Sequence, residues 1–153
     1  MALGASFPPG FLEVQIRRNL VPGAVIKLCQ KMDDGKVHEK RFVVLHVDEN
    51  TTTCVINSEI SAFLLRRPAL LKCQVSMPAA SHPFMNHDSH VDCSRARVYN
   101  TSAVVGELIS QPDWILGAIT LDLRDNIVAA LKFASTLTVK EVAQLCNSLA
   151  SLG

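Results

Sequence analysis

Four metal-ligating side chains crowd one polar stretch: His82, His87, His90 and Cys93, separated by four, two and two residues. Zinc needs four nitrogen or sulfur ligands converging on one point, and this spacing is tight enough to allow it. It matches no common finger pattern, however, and Asp88 and Asp92 compete for the same roles. The plainer reading is a solvated polar loop, so no metal and no other cofactor is expected. Cys93 could instead be a nucleophile, which would need a lowered pKa and a base beside it. His90 is three residues away, and on a strand that separation points the two side chains to opposite faces. Arg95 and Arg97 do share one strand parity; they read as a phosphate-binding pair or as a solvated edge. Lys40 and Arg41 flank an apolar run and read equally well as ordinary charges. Ser58 reads most simply as the N-cap of a following turn. No G-x-S-x-G, Walker loop, G-x-G-x-x-G or H-E-x-x-H occurs.

The elements that would position these residues are mostly short and β-rich. Pro22-Gly23 signals a turn, and Ala24–Leu28 reads as a strand. Asp33-Asp34-Gly35-Lys36 is the clearest hairpin turn in the chain. Arg41–Val47 is β-branched and apolar, as in a central strand. Thr51–Ile56, Leu70–Val75 and His90–Cys93 read as further strands, with a helical turn or irregular link over Ser58–Arg67. Phe11–Arg18 and Arg97–Leu108 fit no single type. Asp122–Ala134 has helical spacing, and Thr138 with Glu141 forms a capping box. Beyond that box, Val139, Val142, Cys146, Leu149 and Leu152 make one apolar stripe, which reads as a packing or dimerisation element and is expected to pair two chains in a dimer. Leu137–Ala143 could open a helix-turn-helix, but the 153 residues hold no recognition helix after it. Short strands followed by helices predict an α+β fold, mainly β, in one domain over 1–153. Residues 1–20 form an N-terminal arm and 138–152 an extra C-terminal helix.

Composition bounds the rest. At 48% hydrophobic and 19% charged, the chain is globular rather than disordered, and 5% aromatic content makes the core aliphatic. A net charge of +1 excludes a nucleic-acid binder that works by bulk charge. The charge is uneven, though: residues 17–72 carry four more basic than acidic groups, while residues 73–153 carry two more acidic than basic. No run approaches the roughly 20 apolar residues that span a bilayer, and the N-terminus lacks the features of a secretory signal. Five scattered cysteines, with no C-x-x-C pair, point to a reducing, cytoplasmic compartment.

The order of several short motifs resembles the MazF/PemK toxin family. Pro22-Gly23-Ala24-Val25-Ile26 is similar to its opening strand, and His38-Glu39-Lys40-Arg41-Phe42-Val43-Val44-Leu45 to its "G-H-R-P-x-V-V-L" strand. Cys54-Val55-Ile56-Asn57-Ser58 is similar to the strand that ends in Thr or Ser. Asp88–Arg97 and Gly117-Ala118-Ile119-Thr120 are similar to two later family segments. The likeness runs in order over about residues 22–134. It implies a small SH3-like curled antiparallel barrel with C-terminal helices, usually dimeric. It also implies a metal-independent endoribonuclease that cleaves single-stranded RNA by attack of a 2′-hydroxyl on the adjacent phosphate, held in check by an antitoxin protein. On this resemblance Lys40, Arg41, Ser58 and His38 are the catalytic candidates, His38 as general base, and Arg95 and Arg97 bind RNA. Lys40, Arg41, Ser58 and Arg97, with His38, would line one groove. The chain departs from the family in carrying Lys40 where the family has Arg and Arg41 where it has Pro; lysine is a point charge rather than a bidentate fork. Two alternatives remain: a non-catalytic barrel that binds or poisons a protein, and a metal-dependent hydrolase using the histidine loop.

Overall fold

A computed structural model describes residues 10–152; residues 1–9 of the expected arm lie outside them. Seven strands form one sheet: β1 (Ala24–Lys31), β2 (Val37–Val47), β3 (Asn50–Asn57), β4 (Gln74–Met77), β5 (Ser89–Asp92), β6 (Arg97–Asn100) and β7 (Ile115–Ala118). The order is β4-β5-β3-β2-β1-β7, with β6 also on β3, and every pair is antiparallel. β3 therefore meets β6 along its first half and β5 at its end, and this division curls the sheet into a half-barrel.

Helices cover both faces, which is why the covered part of each central strand is an unbroken apolar run: Ala24–Ile26 in β1, Phe42–Leu45 in β2 and Cys54–Ile56 in β3. On one face Val25, Val43, Leu45, Cys54, Ile56 and Val91 pack against α5 (Leu121–Leu131) and α6 (Val139–Ala150). On the other, Ile26, Leu28, Phe42, Val44 and Val55 pack against α1 (Phe11–Asn19) and α4 (Thr101–Ser110). The segment 11–18, ambiguous in sequence, is thus a docked helix anchored by buried Ile16 and Leu20. The segment 97–108 divides at Asn100, whose side chain accepts from the Ala103 amide and starts α4.

Three expectations need correction. Leu70–Val75 is not one strand: Pro68 opens a helical turn, α3 (Pro68–Leu71), and β4 starts only at Gln74. Ser58 caps nothing; Ser61 is the N-cap of the short helix α2 (Ala62–Leu65). The apolar stripe of the last helix is not left for a partner. Leu149 and Leu145 are buried within this chain and Val142 and Leu152 pack against the same core, while Val139 is 88% exposed.

The β1–β2 hairpin turns at Gly35, where φ is +79°, a conformation that glycine adopts without strain. The Asp34 carboxylate accepts from the Lys36 amide at 2.8 Å and tightens the turn. Its acids Asp33 and Asp34 thereby hang at the mouth of the groove described next.

Candidate functional site

Strand alternation decides which candidates meet. On β2, His38 and Lys40 share the parity of Phe42 and Val44; on β3, Asn57 shares that of Val55. Beyond the cover of α1 and α4, these residues open into a groove of about 790 Å³, lined also by Arg95, Arg97, Asp33, Asp34, Asp92 and Phe63. Lys40 Nζ donates to Asn57 Oδ1 at 3.0 Å. Arg97 enters from β6, opposite Thr53 of β3. His38 Nε2 lies 2.8 Å from Asp34 Oδ2. One carboxylate oxygen of Asp33 takes Arg95 at 2.5 Å and Arg97 at 3.5 Å.

Arg41 and Ser58 point the other way. They line a second depression of about 310 Å³ with Lys27, Glu39, Met85 and His87, which Lys40 also borders while its Nζ turns to Asn57 in the first groove. Arg41 Nη1 approaches Met85 Sδ at 4.0 Å. The single groove expected for His38, Lys40, Arg41, Ser58 and Arg97 is therefore two, because neighbours on a strand face opposite sides. The hydroxyl expected beside Lys40 is replaced by the amide of Asn57, one residue earlier. Counting parity back from the apolar residues of β3 would have picked Asn57.

Lys40 is electrostatically unsettled. Its pKa is lowered, first by burial and then by the charge of Arg97. Among the described residues no carboxylate lies within 4.0 Å of its ammonium. The Arg97 Nε atom is buried without a partner. Asp34, by contrast, is held below its ordinary pKa by the Lys36 amide first and His38 second. Because the fold lowers the lysine's pKa from 10.5, the unfolded chain holds that proton to higher pH. Lys40 thus costs stability while charged, and the cost disappears as pH rises from its folded pKa toward 10.5. Carbon-detected NMR should find the Lys40 side chain titrating below the other lysines, and inorganic phosphate should move its titration upward. Titration with the other lysines, indifferent to phosphate, would show that the groove needs no anion.

The remaining chemical candidates lie elsewhere. His82 is fully buried; its Nδ1 donates to the Pro78 carbonyl at 2.9 Å and its Nε2 accepts from the Thr120 amide at 3.3 Å, fastening the polar loop to the start of α5. His87 is exposed, His90 half-buried, and Cys93 is sealed in the core. The Cys93 thiol is pushed well up by its hydrogen bond with Cys54 and by burial, the opposite of a nucleophile's requirement. His46 bridges Asp48 and Ser148, tying β2 to α6.

No family model matches the chain, and no curated protein matches it. Among solved structures it is similar to the Mycobacterium tuberculosis toxin MazF-mt6, with a TM-score of 0.47 and 13% identity, covering 74% of this chain and 98% of that one. No helix of the described residues is long and apolar enough to cross a membrane.

Proposed function

We propose that the groove binds a phosphate of single-stranded RNA and that the protein is a toxin-like, metal-independent endoribonuclease, cytoplasmic and controlled by an antitoxin protein. The observation that carries this reading is Lys40: a half-buried cation beside Arg97, with an amide but no carboxylate as partner. A phosphate oxygen is the anion that Lys40 lacks.

The chemistry follows from the residues around it. In its neutral form His38 donates from Nε2 to Asp34, which leaves Nδ1 free to accept the proton of a ribose 2′-hydroxyl. The 2′-oxygen forms a bond to phosphorus as the bond from phosphorus to the 5′-oxygen breaks. Lys40 and Arg97 meet the charge that builds on the non-bridging oxygens. Lys40, its pKa lowered, gives a proton to the departing 5′-oxygen and recovers one from His38 through water. The products are a 2′,3′-cyclic phosphate and a 5′-hydroxyl.

Purified protein incubated with single-stranded RNA and excess EDTA should yield these ends, and the all-deoxy strand should bind without being cut. Intact RNA would support the second reading, a non-catalytic barrel of the same fold. One feature favours that alternative: Asp33 and Asp34 already engage both arginines and the histidine.

A further inference from the structure

The segment between β3 and β4 carries an aromatic ring outward where a core residue is expected. Ser61 caps α2 by accepting from the Leu64 amide at 3.3 Å. Leu64 then enters the core at 9% exposure, and one position earlier Phe63 is left 56% exposed. An aromatic ring left this exposed forgoes much of the free energy that burying it would give. Arg67 fixes the ring in place. Its guanidinium carbon lies 3.6 Å from the ring centroid, and its Nη1 donates to the Phe63 carbonyl at 3.1 Å. No other aromatic ring of the described residues stacks on Phe63. The same ring lines the groove that holds Lys40 and Arg97, and Arg66 lies on the same turn.

We propose that Phe63 is a stacking platform for an RNA base next to the phosphate held by Lys40 and Arg97. This inference rests on the groove being an RNA site. A ring backed by a guanidinium and bordered by cations matches the alternation of base and phosphate along a single strand. Proteins that bind such strands pair a cationic groove with exposed aromatics. An acidic protein segment would satisfy the cations but gain nothing from a flat, pinned ring whose backing is itself a cation.

The experiment uses full-length protein and two 2′-O-methyl RNA heptamers that cannot be cleaved. One has all its bases, with 2-aminopurine placed at each position in turn; the other is abasic throughout. Fluorescence titration should show the base-containing strand bound roughly tenfold more tightly than the abasic one, the low end of aromatic–base stacking. At one position the 2-aminopurine should be quenched. Phe63→Ala should bring both strands to the abasic affinity and remove the quenching, and Phe63→Trp should restore both, with unchanged thermal midpoints. Equal binding of the two strands by the parent, lost in a Lys40 variant, overturns the platform and leaves the phosphate site standing. A Phe63→Ala protein that still prefers the base-containing strand also overturns it. If the parent binds neither strand, the RNA groove and the platform fall together.

Discussion

Replacing Lys40 with methionine should abolish RNA cleavage and weaken single-strand binding by roughly tenfold to hundredfold, the size of one charge-assisted hydrogen bond, without lowering thermal stability. A cation that the fold desolvates and sets beside Arg97 destabilises the free protein, so an apolar side chain of similar length should hold the thermal midpoint or raise it. Loss of function with gain of stability marks a residue kept for its ligand rather than for the fold. The contrast is Arg41→Ala. Arg41 faces the other depression, so single-strand binding should stay within about twofold, the spread typical of a surface change. Calorimetric melting and fluorescence titration of both variants decide the matter. If Lys40→Met binds as the parent does, or Arg41→Ala is the damaging change, the phosphate site is on the wrong face of the sheet.

The second large effect concerns the last helix. Leu149 is fully buried against the sheet and α5, so Leu149→Ala should cost about 2–5 kcal/mol. For a chain of this length that is a fall in melting temperature on the order of 5–15 °C, at roughly 2–4 °C per kcal/mol. Val139, at the solvent end of the same apolar stripe, should tolerate serine within about 0.5 kcal/mol. The measurement is thermal unfolding followed by circular dichroism, with sedimentation run alongside. If Leu149→Ala melts like the parent but shifts a dimer toward monomer, the helix is an interface after all.

These two cases show what could be read from the sequence and what could not. The hairpin at Asp34-Gly35, the apolar run of β2 and the capping box at Thr138 and Glu141 are local signals, and each appears where its residues predict. The helical stripe was equally legible, but its partner was not: nothing local says that β2 and α5 lie under it. Lys40 was found through its place before Val43 and Val44, whereas Asn57 was displaced by Ser58. A motif match tolerates a shift of one residue, and a strand does not, since that shift exchanges the two faces. The role of Arg95 and Arg97 depended on Asp33, more than sixty residues away in the chain, and no spacing rule joins them. Nothing local marks Phe63, because its exposure follows from which neighbour Ser61 and Leu64 fix in place.

The hairpin tip bears on how a strand would arrive. Lys40, Arg95 and Arg97 share their groove with Asp33, Asp34, Glu59 and Asp92, so the site's charges nearly cancel when viewed from a distance. A polyanion diffusing past meets little attractive field, and the acceleration that a uniformly basic cleft gives is missing. Encounter should then run at the roughly 10⁵–10⁷ M⁻¹s⁻¹ of undirected docking and respond weakly to ionic strength. Discrimination begins only at contact, when a phosphate displaces Asp33 from two guanidinium groups. A groove of this kind spends little time on the bulk of cellular polyanions and responds to those that can complete the exchange.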